Sequence, residues 1–230
     1  MDPSNFRASI VMRKIERSFA YDGTPMLALS IRYPTVTLPR NPSAQKSIDG
    51  QIQAQVNAFY HYAADDLYRQ AVAAYKDAQE NGFPFHRYDA ILQYTITYNQ
   101  RCHLSLYRDQ YEYTGGAHGN TVRASDTWSL ETGRNLPLYS FFPAGRDYRA
   151  FLISQIIKQA DVRMQQEPGI FFENYRALIV QYFNGEHYYL TPAGLVIYYQ
   201  QYEIAPYVTG IVPFTIPYAT LNWQPSCRMP

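Results

Sequence analysis

His118 sits in the densest glycine cluster of the chain, Thr114-Gly115-Gly116-Ala117-His118-Gly119-Asn120. Glycines let a ligand approach the backbone closely and leave peptide N–H groups able to hold an anion, while an imidazole beside them can donate a hydrogen bond or move a proton. The competing reading is a tight turn or β-bulge whose histidine bonds neighbouring carbonyls. Glycoside chemistry would also need two facing carboxyl groups, and Glu112, Glu131 and Glu203 are the candidates. Nothing in their spacing brings any two of them together. Other chemistries find no pattern: His61, His86, His103, His118 and His187 make no HExxH, Cys102 and Cys227 make no CxxC, and GxSxG is absent. No metal or cofactor is expected, and no catalytic residue is assigned. Cys102 and His103 fall in an expected strand, where neighbours point to opposite faces and cannot form a thiolate–imidazole pair. Two cysteines allow at most one bridge, and whether these two pair is left open.

Tyrosine is the strongest compositional signal. The 230 residues include 23 Tyr, 12 Phe and 2 Trp. Tyr rings stack on sugars or fill partner pockets while the hydroxyl stays wet. Tyr188-Tyr189 and Tyr198-Tyr199 therefore form either an open aromatic platform or the core beneath a second layer. Exposure of several rings in one patch would favour binding, and burial would favour core. With 47% hydrophobic residues, 20 Lys and Arg against 19 Asp and Glu, and a net charge of +1, the chain is neither disordered nor suited to nucleic acid. No apolar run approaches the length of a membrane span. The N-terminal Met1-Asp2-Pro3-Ser4-Asn5-Phe6-Arg7 lacks the charged and apolar regions of an export signal.

These residues need elements to position them. Asp22-Gly23 supplies a hairpin turn within Ser9 to Thr37, whose second arm is expected to stop at Pro34. Asn41-Pro42 starts a long helix with the apolar stripe Ile48, Ile52, Val56, Phe59, Ala63, Leu67, Ala71 and Tyr75, closed by Asn81-Gly82. A period of 2 follows from Tyr88, with a turn at Asn99-Gln100, then the glycine cluster and a turn at Glu131-Thr132-Gly133-Arg134. A second helix fits Asp147 to Gln166, and strands fit His187–Leu190, Leu195–Tyr199 and Ile211–Ile216. Runs of strands kept apart from two main helices predict an α+β fold with antiparallel sheets, packed as a single compact unit without linker or repeat.

Three segments together resemble the extracytoplasmic domain of RsiV-type, lysozyme-binding anti-sigma factors, whose C-terminal part is a family of unknown function. They are Tyr111–Gly119; Thr127–Arg134 leading to Leu138-Tyr139-Ser140-Phe141-Phe142; and Tyr188–Tyr199 with Tyr202-Glu203-Ile204-Ala205-Pro206-Tyr207. Ile31-Arg32-Tyr33-Pro34 and the long helix are similar to the companion domain of PdaC-type peptidoglycan deacetylases. The resemblance implies two regions, 1–87 and 88–230, and a non-catalytic, extracytoplasmic cell-envelope module recognising a lysozyme-like protein or peptidoglycan. Ligand contacts are then expected from Tyr113, Gly115, Gly116, His118, Gly119, Tyr198, Tyr202 and Glu203. The alternative is an enzyme acting on cell-wall glycan with His118 and a nearby glutamate. The oligomeric state is not readable from the sequence.

Overall fold

The computed structural model describes residues 6–227, so Met1 to Asn5 of the N-terminal segment, where an export signal would begin, lie outside the described residues. The chain gathers into two compact units. The N-terminal unit comprises residues 9–94 and 108–122; the C-terminal unit comprises those before 9, 95–107 and those from 123 onward.

The N-terminal unit opens with the expected hairpin. Strands β1 (Ser9–Tyr21) and β2 (Thr24–Thr37) pair antiparallel across Asp22 and Gly23, whose φ angles of 47° and 78° make the tight turn. β2 does not stop at Pro34. Val36 donates its N–H to Asp49 Oδ1 at 2.8 Å, away from β1, and Pro34, two residues earlier, has the same orientation. The next strand pairs with β2 only as far as Arg32, so the missing proline N–H costs no ladder bond.

Asn41 Oδ1 accepts the Ala44 N–H at 3.2 Å and starts α1 (Pro42–His61). The single long helix expected here is interrupted by a π-helical turn, Tyr62–Leu67, before α2 (Tyr68–Asn81) ends at Gly82 with φ 71°. Spacing explains the interruption. Phe59, Ala63, Leu67 and Ala71 recur every four residues, and on a 3.6-residue helix each such step drifts about 40° around the cylinder. A π turn is wider and absorbs that drift. All four side chains stay buried.

The helices lie against β2 and return the chain so that β3 (Tyr88–Gln100) runs parallel to it, with Leu27 opposite Tyr88 and Arg32 opposite Gln93. One pair therefore departs from the antiparallel expectation, because a helical crossover separates its strands. β4 (His103–Tyr113) and β5 (Asn120–Ser129) complete a five-stranded sheet in the order β1-β2-β3-β4-β5. The β3–β4 turn is Arg101-Cys102, with φ 49° and 62°, two residues later than expected. Cys102 therefore belongs to a turn and not a strand.

In the C-terminal unit the turn at Glu131 to Arg134 is present, with Gly133 at φ 71°. Asp147 Oδ1 accepts the Ala150 N–H at 3.0 Å and caps α3 (Tyr148–Gln166), as expected. α4 (Tyr175–Gln181) lies where no helix is expected from the sequence. An antiparallel sheet follows, β6 (Tyr188–Thr191), β7 (Gly194–Tyr199) and β8 (Val212–Pro217), then the short α5 (Tyr218–Leu221). Gly194 faces Pro217, and a Cβ there would stand 2.2 Å from the Ile216 carbonyl oxygen, so the pairing requires glycine. Leu152, Ile156 and Ala160 of α3 share a core with Leu195, Ile197, Tyr199, Phe214 and Ile216. Cys102 and Cys227 are joined by a disulfide across 125 positions, with Cα atoms 4.9 Å apart. The architecture is α+β.

Candidate functional site

The residues singled out in the sequence fall into both units. Tyr113, Gly115, Gly116, His118 and Gly119 lie at the β4–β5 connection in the N-terminal unit; Tyr198, Tyr202 and Glu203 lie in the C-terminal unit. In the glycine loop, Gly115 has φ 87°. Gly119 is buried under the Tyr111 ring, and a Cβ on it would fall 2.3 Å from that ring's Cε2. The ring is thus one reason for a glycine at this position. His118 is exposed, and its Nδ1 lies 3.1 Å from the Gly119 carbonyl. When Nδ1 carries the proton, that bond fixes the tautomer and orients the ring along the loop.

In the C-terminal unit the two tyrosine pairs form core and not a platform. Tyr188, Tyr189, Tyr198 and Tyr199 are only 1 to 7% exposed. Burial holds the Tyr188 and Tyr199 hydroxyls well above the usual tyrosine range. Around Tyr198 the contacts are mixed. The His187 ring lies parallel to it at 5.0 Å, Tyr189 packs at 5.9 Å, and the Arg123 guanidinium stands 3.6 Å above the Tyr107 ring. Gln200 grips the backbone of Arg123 from both sides, accepting its N–H at 2.9 Å and donating to its carbonyl at 2.6 Å. Glu203 Oε2 accepts the Gln200 N–H at 2.7 Å. Burial raises the pKa of Glu203 and this hydrogen bond opposes the rise. Tyr202, with φ 66°, turns out to solvent against Tyr207. Glu203 thus fixes the turn that presents Tyr202. Desolvation pushes His187 and His103 below the usual histidine range, so both are neutral near pH 7.

A third feature leaves almost no mark in the amino-acid sequence. The π turn brings Tyr62 over β4, where its hydroxyl donates to Glu112 Oε2 at 3.0 Å. Beside it is a cleft of about 290 Å³ lined by Gln55, Ala58, Phe59, Tyr62, Arg108 and Gln110. Tyr94 donates to Gln55 Oε1 at 3.0 Å and orients that amide. Planar amides, a phenol and a guanidinium over an apolar floor suit a neutral ligand rich in hydroxyl and amide groups. The run of fourfold spacings around Ala63 is the one sequence signal for it. Among the described residues no group of three or more His, Cys, Asp and Glu could hold a metal ion.

With these arrangements established, comparison with known proteins places the chain. Residues 22–121 match the family model described as deacetylase PdaC, and residues 139–219 match DUF3298, a protein family of unknown function. Each match covers less than half of the chain, which is thus similar to the two families in succession. The crystal structure of a DUF3298 family member from Bacteroides fragilis aligns with a TM-score of 0.72 at 20% identity, covering 95% of this chain and 94% of that one. A DUF3298 family protein from Pseudomonas aeruginosa aligns at 0.59 and 17% identity, covering 96% and 94%. At these identities the likeness is one of fold, and it extends over nearly the whole chain. Among curated proteins there is no match. The PdaC-type region points to a cell-envelope protein, while the DUF3298 region carries no assigned activity. No helix of the described residues is long and apolar enough to cross a membrane.

Proposed function

We propose that the protein is a non-catalytic, extracytoplasmic domain of the bacterial cell envelope that binds either cell-wall glycan or a lysozyme-like protein, in the manner of RsiV-type ectodomains. The observation that carries this reading is the succession of PdaC-type and DUF3298 regions in one chain. The Cys102–Cys227 bridge supports it, since disulfides persist in oxidising compartments. The acid–base pair considered for an enzyme finds less support. His118 is exposed and bonded to its own loop, and Glu203 is bonded to a backbone N–H. Of the two ligand classes, the cleft beside Tyr62 favours glycan, whose hydroxyl and acetamido groups match Gln55, Tyr62, Arg108 and Gln110. The test is co-sedimentation of the purified chain with peptidoglycan sacculi, alongside calorimetry with lysozyme. Glycan binding weakened about tenfold by Gln110→Ala and Tyr62→Phe supports the reading and its cleft. Binding of neither ligand, or release of soluble sugar products that stops with His118→Ala, contradicts it.

A further inference from the structure

Along a strand the N–H and C=O groups of successive residues face opposite sides, so the outermost strand of a sheet turns every second pair outward. In the C-terminal unit other parts of the chain meet those groups. On β6 the Tyr188 carbonyl accepts from Ser125 Oγ, and the Leu190 N–H is donated to Ser105 Oγ at 2.9 Å. On β8 the carbonyls of Pro213 and Thr215 accept from Arg163 and Gln159 of α3, both at 2.9 Å. On β5 Gln200 holds Arg123, the Thr127 carbonyl accepts the Leu136 N–H at 2.7 Å, and the Ser129 N–H reaches the Arg134 carbonyl at 3.0 Å.

β1, at the edge of the N-terminal unit, is different. Because the Val36 N–H turns away from β1, residues in phase with Val36 form the pairs that exchange no hydrogen bonds with β1. Their partners, Ile10, Met12, Lys14, Glu16 and Ser18, therefore direct their own N–H and C=O groups outward. Val11, out of phase with them, turns its carbonyl to β2 and accepts from Thr35 Oγ1 at 3.1 Å, as this phase requires. The Glu16 carbonyl is covered by Arg17 Nη1 at 2.8 Å. The other outward groups of these five residues have no partner among the described residues. The strip is basic: Lys14 Nζ lies 2.6 Å from Glu16 Oε1, and Arg13 and Arg17 add two positive charges beyond that pair, in a chain whose overall charge is only +1.

We propose that β1 is a docking edge on which an acidic, extended peptide segment of a partner adds as a further strand. The backbone supplies the ladder, and Arg13 and Arg17 supply the preference for acidic side chains. A second copy of the chain fits worse, since antiparallel self-pairing about Lys14 would set lysine against lysine. The inference goes beyond the envelope reading and does not depend on it.

The probe is a blocked peptide of alternating valine and glutamate, about ten residues long so as to run beside Ile10 to Ser18. It is titrated into the isotope-labelled full chain and followed by amide NMR shifts, with a valine–lysine peptide as the charge control. Shifts confined to β1 and its neighbours are expected, with the lysine peptide weaker by about tenfold or more. Met12→Pro deletes one outward N–H without removing a β1–β2 bond and should weaken binding several-fold. The double variant Arg13→Glu, Arg17→Glu leaves the backbone intact and should reverse the preference between the peptides. Shifts at another surface, equal binding of both peptides, binding of neither, or a β1-mediated dimer in sedimentation overturns the proposal.

Discussion

In the C-terminal unit, β5, β6 and β8 end against serine hydroxyls, a glutamine amide, an arginine and a short return of the chain, and a disulfide anchors Cys227 to the turn at Cys102. In the N-terminal unit the helices cover one face of the sheet but leave the outer edge of β1 to solvent. Both units bury apolar side chains completely, Leu27, Ile31 and Ile48 in one and Leu152, Ile197 and Phe214 in the other, so the presence of a core does not distinguish them. A sheet can be completed by its own side chains, which fixes it, or left for another strand to complete. The first arrangement suits a scaffold and the second suits recognition.

The most drastic way to break this contrast is to remove the bridge. Cys102→Ser frees a loop of 125 positions and is expected to cost about 2–5 kcal/mol, lowering the C-terminal unit's midpoint in chemical denaturation. Next is Ser105→Ala. It strands the buried Leu190 N–H and should cost about 1–3 kcal/mol, whereas Ser18→Ala on the open edge should change stability by less than about 0.5 kcal/mol.

Acidification sharpens the contrast with a smaller effect. His103 and His187 of the C-terminal unit titrate below their unfolded value of about 6.5, so the unfolded chain binds more protons in the window below that value. The stability they confer is complete above about pH 6.5 and falls as pH drops through that window toward the folded values. His187→Phe keeps the stacking on Tyr198, removes a buried Nδ1 that has no partner among the described residues, and should flatten that fall in melting temperature between pH 7 and 5. The smallest expected effect is at Glu203, whose pKa is raised in the fold. The stability tied to its protonated form is present below about pH 4.5 and lost as pH rises past the folded value. Glu203→Gln retains the acceptor for Gln200 N–H and should raise the melting temperature slightly at pH 7 while leaving it unchanged at pH 4.

Local features of the fold are legible in the amino-acid sequence. Asp22-Gly23, Asn41-Pro42 and Asp147 mark their turn and helix starts because each acts through its own backbone or its nearest neighbours. Pairing between distant segments is not legible there. The parallel match of β2 with β3, the passage of β2 through Pro34 and the capping of β5 by Gln200 depend on partners far along the chain. The same limit applies to the candidate site. The pattern of Tyr188, Tyr189, Tyr198 and Tyr199 is the same for core and for surface, and only the layer that covers them decides between the two. The cleft beside Tyr62 joins a helix to a strand about fifty residues later, and only the fourfold spacing of Phe59, Ala63, Leu67 and Ala71 hints at its π turn.

Amide hydrogen exchange resolved by residue tests the contrast between the two units most directly. With β1 open and its phase as derived, Ile10, Met12, Lys14, Glu16 and Ser18 exchange quickly while Val11, Arg13 and Ile15 between them are protected, and Leu190 on β6 is as slow as the interior of its sheet. Uniform protection along β1, or the opposite alternation, would contradict the account.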